Sequence, residues 1–239
     1  IAHKFIPAMV KFSAHGTDRI TTLTNWAKDR FEFSGIFLGP PSELDKELSE
    51  WLSAAPGYTF VTKESRTLFD SVFYFSGEEA IQAVANPVLA PYAFKAKSFF
   101  IGPEGLSDEG ITFMDEFLKT VNPDCDIFSL MDIFDGAVGR IPKRATAFVH
   151  RDVAFGILML SLWKKPDIAE ECKNVINSFG IEFQARYASP HNYQNYIDSD
   201  LPNYLYAYYG ENLVRLVEIK NIYDPENLFN FPQSIPTKL

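Results

Sequence analysis

Val153-Ala154-Phe155-Gly156-Ile157-Leu158-Met159-Leu160-Ser161-Leu162-Trp163 is the longest apolar run of the chain. Two other strand-like runs precede it, Asp126-Ile127-Phe128-Ser129-Leu130-Met131-Asp132-Ile133 and Ala145-Thr146-Ala147-Phe148-Val149-His150. Polar breaks at Asp135-Gly136 and Arg151-Asp152 separate them. Consecutive strands with short polar connections favour antiparallel pairing over the crossovers of a parallel sheet. The run from Val153 is too short to cross a bilayer, and Gly156 and Ser161 interrupt it.

Working outward, Phe94 to Phe100 alternates as a strand should, and Ser107 or Asp108 starts a helix to about Leu118 with Ile111, Met114 and Leu118 aligned. Pro166 and Asp167 open another helix, to about Phe179. Nearer the N-terminus, Lys4 to Phe12 reads as a strand. Thr17 or Asp18 would cap a helix to about Arg30 through Ile20, Leu23, Trp26 and Ala27. Phe33 to Leu38 is a strand ended by Gly39-Pro40-Pro41, and Ser42 caps a helix with Leu44, Leu48, Trp51 and Leu52 as its stripe. A strand is expected over Tyr58–Thr62, a helix over Ser65–Tyr74 and a break over Pro87–Pro91. Asn203 to Tyr223 is helix-rich, interrupted at Gly210 and closed at Asp224-Pro225. The pattern suggests a sheet with helices packed on it, an α/β or α+β layer architecture, plus a C-terminal extension.

The composition is that of an ordinary globular chain: 239 residues, 46% hydrophobic and 22% charged. A net charge of -9 with no basic cluster disfavours nucleic acid and anionic membranes as partners. The 22 Phe and 11 Tyr point to a ring-rich core or an aromatic pocket. Cys125 and Cys172 read as two buried thiols or as one bridge, which leaves the redox compartment open. The chain starts at Ile1-Ala2-His3-Lys4, with neither an initiator Met nor a signal-peptide layout. It is therefore expected to be a fragment or processed product.

Common catalytic signatures are absent: there is no GxSxG, no GxGxxG and no phosphate loop. His3, His15, His150 and His191 lack zinc-ligand spacing. Asp198-Ser199-Asp200 lacks the bidentate Glu of a calcium loop. Besides Arg144-Ala145-Thr146-Ala147-Phe148-Val149-His150-Arg151-Asp152, two segments toward the C-terminus are distinctive. Tyr193-Gln194-Asn195-Tyr196-Ile197-Asp198-Ser199-Asp200-Leu201 comes first. Tyr209-Gly210-Glu211-Asn212-Leu213-Val214-Arg215-Leu216-Val217-Glu218-Ile219-Lys220 follows. Asp224-Pro225-Glu226-Asn227-Leu228-Phe229 and Phe231-Pro232-Gln233-Ser234-Ile235-Pro236 complete the set.

In that order they resemble the C-terminal signature of the berberine bridge enzyme-like family of FAD-linked oxidases. Phe94-Lys95-Ala96-Lys97-Ser98 is similar to the family's F-K-x-K-S stretch, and Ala147-Phe148-Val149-His150-Arg151 to its F-P-H-R element with Val149 in place of Pro. Asp135-Gly136-Ala137 departs from the family's paired glycines.

The resemblance implies a two-part enzyme. An N-terminal FAD domain, absent from this sequence, would hold the flavin. Residues 1–190 would supply an α+β substrate-binding domain, a largely antiparallel sheet covered by helices on one face, and residues 191–239 a helical extension that completes the FAD domain. The chain alone would not turn over. The intact protein would oxidise a hydroxyl-bearing small molecule by hydride transfer to FAD, with oxygen returning the flavin and leaving hydrogen peroxide. A flavin-free ligand- or partner-binding module is the alternative. Tyr196 matches the family's general base, a role that requires its phenol pKa to be lowered by cations or donors; packing a buried turn is its plainer role. Asn195 and Gln233 would meet flavin or ribityl edges, or tie the C-terminal loops together. Tyr193 and His150 are placed with the substrate, although His150 beside Arg151 and Asp152 also suits a structural hydrogen bond. Asp198 and Asp200 fix the loop. Only family habit favours secretion.

Overall fold

The computed structural model describes residues 1–53, 59, 62–85 and 93–239. Five strands form one antiparallel sheet: β1 (Ile20–Ala27), β2 (Arg30–Phe37), β3 (Ala93–Ile101), β4 (Ile127–Ile133) and β5 (Phe155–Trp163), in the order β2-β1-β4-β5-β3. The helices are α1 (Ala2–His15), α2 (Pro41–Ser53), α3 (Leu68–Ala85), α4 (Asp108–Thr120), α5 (Ala169–Tyr187), α6 (Tyr204–Tyr209) and α7 (Leu213–Tyr223).

Strand alternation sends two sets of side chains to opposite faces. Phe155, Ile157, Met159 and Trp163 of β5 join Phe99 and Ile101 of β3, Ile127 and Met131 of β4 and Trp26 of β1 in the core beneath α1, α2, α4 and α5. Phe5, Phe12 and Phe33 surround the fully buried Trp51 at one end. Phe99, Phe113 and Phe117 meet Phe179 and Phe183 of α5 at the other. The opposite sheet face carries Leu23, Leu130, Asp132, Leu158 and Ser98. There α3 sets Leu68, Val72 and Phe75 beside Ile36, at the β2 edge. The antiparallel sheet with its main helices on one face is as expected, although α3 lies on the other; β3, β4, β5, α2, α4 and the break at Gly210 are also as expected. The strand expected over Tyr58–Thr62 falls mostly, and the break over Pro87–Pro91 wholly, outside the described residues.

Two N-terminal expectations are reversed. Lys4 to Phe12 lies in helix α1, where Ala2, Phe5, Ile6, Met9 and Ser13 are buried. That spacing is the 3.6-residue stripe of a helix. Burial of those side chains outweighs the cost of Pro7, roughly 3 kcal/mol in a helix interior. Conversely, the segment after Thr17 forms strand β1, with Thr22, Thr24 and Trp26 buried in alternation. Its β-branched threonines favour the pleated sheet, and Lys28-Asp29 turns it back so that Ala27 pairs with Arg30.

A third expectation also fails, because Ala145–His150 is not a strand. The guanidinium of Arg151 donates to the carbonyls of Phe148 (3.2 Å) and Val138 (2.9 Å) and to Thr146 Oγ1 (2.7 Å). These bonds satisfy carbonyls that a neighbouring strand would otherwise take. Cys125, in the short 3-10 turn before β4, is bridged to Cys172 of α5. Of the two readings open for the cysteines, the structure selects the bridge.

Candidate functional site

The edge strand β3 is the dock for the first C-terminal motif. Asn192 donates through Nδ2 to the Ser98 carbonyl at 2.5 Å, and the Tyr193 amide donates to Ser98 Oγ at 2.8 Å. From this anchor the chain turns over the sheet face opposite the main helices. The Tyr196 amide bonds back to the Tyr193 carbonyl at 3.0 Å, closing a tight turn. The turn sends the Tyr196 side chain across β5 to β4, where its hydroxyl donates to Asp132 Oδ2 at 3.1 Å.

Asp132 escaped the sequence reading. The one signal was an acidic residue in a strand otherwise built of apolar side chains and Ser129. The register shows what surrounds it. Leu23 of β1 and Gly156 of β5 are its cross-strand neighbours, and Leu130 and Phe134 flank it on β4 and just beyond. Burial in this apolar setting raises the Asp132 carboxyl above its ordinary range, partly offset by the Tyr196 hydrogen bond. Burial likewise raises the Tyr196 phenol, and the charge and hydrogen bond of Asp132 raise it further. The expectation that Tyr196 has a lowered pKa is therefore corrected. Its partner is a carboxylate that holds the phenol proton in place, not a cation that would expel it.

Tyr193 stands edge-on to Tyr196, with ring centroids 5.0 Å apart, and packs against Phe134 and Phe148. Its hydroxyl accepts from Asn195 Nδ2 at 2.8 Å. Tyr193, Asn195 and Tyr196 thus share one patch, and the Asn195 side chain is exposed there. Gln233 lies elsewhere, 6% exposed, where it donates to the Asp198 carbonyl at 2.8 Å and accepts from the Tyr208 hydroxyl at 3.2 Å. Both ends of its amide are used within the chain, as the loop-tying role requires.

His150 is not on an open surface. It is 2% exposed, packed at 4.4 Å between centroids on Phe100. Its Nε2–H donates to the Tyr208 carbonyl at 3.0 Å, because a carbonyl can only accept. A substrate could not reach it, so its placement with the substrate is corrected in favour of a structural hydrogen bond. Burial, and secondly the neighbouring His191, lower its pKa to about 4. The unfolded chain would take up a proton near the model-peptide value of about 6.5, a proton the folded chain refuses. This contribution is absent above that pH and costs stability as pH falls, by roughly 3 kcal/mol at pH 4. His150→Gln keeps a donor for Tyr208 but cannot titrate. Urea midpoints are expected to fall less steeply in this variant than in the wild type between about pH 7 and pH 4.5. Parallel slopes would show that His150 already titrates normally.

Among the described residues, no group of three or more His, Cys, Asp or Glu is placed to hold a metal ion, and no helix is long and apolar enough to cross a membrane.

The segment that docks on β3 and carries Tyr196 is also the segment a known family shares. A family model described as "Berberine and berberine like" matches residues 192–236. The chain is similar to the berberine bridge enzyme-like family over this segment. It is 32% identical to an uncharacterized FAD-linked oxidoreductase of Bacillus subtilis, YgaK, over 92% of this chain and 46% of that protein. Monolignol oxidoreductase AtBBE-like 13 of Arabidopsis thaliana is 33% identical over 61% of this chain and 29% of its own length. BBE-like 1 of Physcomitrella patens has a solved structure that superposes with a TM-score of 0.85 at 28% identity, over 100% of this chain and 52% of that one. The chain thus spans about half the length of these relatives or less. The matched segment contains Tyr193, Asn195, Tyr196, Asp198 and Gln233, whereas Asp132 and the β3 residues that receive it lie upstream.

Proposed function

We propose that the intact protein oxidises a hydroxyl-bearing small molecule, and that this chain supplies the substrate wall and the base. The observation that carries the reading is the Tyr196 hydroxyl resting on the Asp132 carboxylate, on the sheet face away from the main helices. A substrate hydroxyl placed against the Tyr196 oxygen can give up its proton as Tyr196 passes its own to Asp132 Oδ2. The raised Asp132 pKa makes it a better acceptor of that proton than an ordinary carboxylate. Tyr196 then never has to exist as a free phenolate.

FAD, held by residues outside this chain, would take up the hydride, and oxygen with a proton would reoxidise it to leave hydrogen peroxide. The residues present fit such an arrangement. The Asn195 amide is exposed beside Tyr193 and Tyr196, where it can meet a flavin edge. Ile222, Tyr223, Leu228 and Phe229 leave a large apolar surface bare on α7 and the turn after it, as expected of a tail that packs on another domain. Leu23, Leu130 and Leu158 give the sheet wall an apolar character that aligns a substrate body by contact rather than by hydrogen bonds.

Full-length protein is expected to carry visible flavin absorption. That absorption should bleach anaerobically on mixing with a substrate found in a panel of aromatic alcohols and reducing sugars, and peroxide should appear when air is readmitted. Full-length protein without flavin absorption, or turnover that yields no peroxide, would overturn the reading.

A further inference from the structure

Two motifs far apart in sequence meet away from the reacting pair. Lys95 and Lys97 of β3 both reach Asp198, two residues beyond Tyr196. Lys95 Nζ bonds one carboxylate oxygen, and Lys97 Nζ donates to the other at 2.7 Å. Lys95 also donates to Asp200 at 2.7 Å, which Asn177 of α5 holds at 3.0 Å. The centre of the cluster is largely shielded: the side chains of Lys95, Lys97 and Asp198 are 11%, 12% and 6% exposed, while that of Asp200 is 51% exposed. Burial pulls the Lys95 ammonium down, but the hydrogen bonds and charges of Asp198 and Asp200 outweigh it, leaving the group above its ordinary value.

A loop anchor needs no such charges. A neutral ring already ties the same residue: the Asp198 amide donates to the Tyr208 hydroxyl at 3.0 Å, that hydroxyl donates to Gln233, and Gln233 returns to the Asp198 carbonyl. Buried ion pairs add little net stability over apolar packing, and their best-attested use is to fix register. Here the two lysines sit two residues apart on one strand face, roughly 7 Å along the strand. Each takes a different oxygen of the same carboxylate, which locks the loop along β3 as well as onto it. The other lock is Ser98, which holds Asn192 and Tyr193. Tyr196 hangs between the two.

We propose that Asp198, clamped by Lys95 and Lys97, is a positioning residue that sets the Tyr196 phenol against Asp132. It touches no substrate and acts through Tyr196. Its effect on turnover rests on the function proposed above, but its effect on the phenol can be read without turnover.

The test uses the full-length protein labelled with 3-fluorotyrosine. The Tyr196 fluorine signal is identified by its loss in Tyr196→Phe. The titratable groups facing the phenol are Asp132 on β4 and Tyr193 on the same loop, and neither is altered. In Asp198→Asn the Tyr196 titration midpoint is expected to fall by about one pH unit or more, because the phenol leaves the carboxylate and the apolar wall. Lys97→Met, which leaves Lys95 on Asp198, should give a smaller fall, and Lys97→Arg should restore the wild-type midpoint. A folded Asp198→Asn protein with the wild-type signal and midpoint would overturn the proposal. Where Asp198→Asn does not fold, an unchanged midpoint in Lys97→Met overturns it equally. Full turnover in Tyr196→Phe would instead remove the catalytic reading and leave the clamp result standing.

Discussion

Tyr196→Phe in the full-length protein is expected to lower kcat for substrate oxidation by roughly 10²–10⁴-fold, the range for loss of a positioned proton-transfer group. Phe keeps the ring and its edge-on packing with Tyr193 but removes the oxygen that, in the proposed reaction, links substrate to Asp132. KM should therefore change little, and the loss should appear in the chemical step. Asp132→Asn should cost a comparable factor, since its amide cannot hold the transferred proton. The double variant should be scarcely slower than either single one, because the two residues act as a unit. The pH profile adds a sign. The pair works only with Asp132 ionised, so the rate should rise with pH through the Asp132 pKa, which burial places above the ordinary carboxylate range. In Asp132→Asn that acid limb should vanish. Rapid-reaction measurement of the flavin absorption separates these effects from oxygen reactivity. Near-wild-type flavin reduction in both single variants would exclude the proton path.

The second large effect concerns stability. Cys125 and Cys172 are 47 residues apart in sequence. Their bridge removes loop-closure freedom from the unfolded chain, worth about 4 kcal/mol for a loop of this size in the chain-entropy treatment. It ties the entrance of β4, and hence Asp132 further along that strand, to α5, which packs beneath β3 and β5. Cys125→Ala with Cys172→Ala should lower the melting temperature by roughly 10 °C, given the shift of about 2–4 °C per kcal/mol for chains of this size. Reductant should lower the wild type similarly and leave the double variant unmoved. A reductant-insensitive wild type would mean that the bridge contributes nothing to stability.

How far the sequence could be read depended on the range of the interactions involved. Strands β3, β4 and β5 and helices α2 and α4 were legible because their apolar positions recur with a period set by local backbone geometry. Ser107 is a plain N-cap, its Oγ accepting from the Gly110 amide. The C-terminal signature was legible as an ordered string of residues. The N-terminal pair was not, because Phe5, Ile6, Met9 and Phe12 suit a helix or a strand until a partner surface exists. Packing against Trp51, Phe31 and Phe33 made that segment a helix, and pairing with β2 and β4 made Ile20–Ala27 a strand.

The site divides along the same line. The sequence by itself determined that Tyr193, Asn195, Tyr196 and Asp198 lie together on one short turn, since a few bonds of chain permit nothing else. Only the tertiary structure decided what they face. Tyr196 meets Asp132 from 64 residues away, and Lys97 meets Asp198 across 101. His150 is closed off by a carbonyl 58 residues further on. Such pairings follow from strand register and from which sheet face the loop crosses. A one-residue slip would turn Asp132 to the helix side, and no local propensity records that choice.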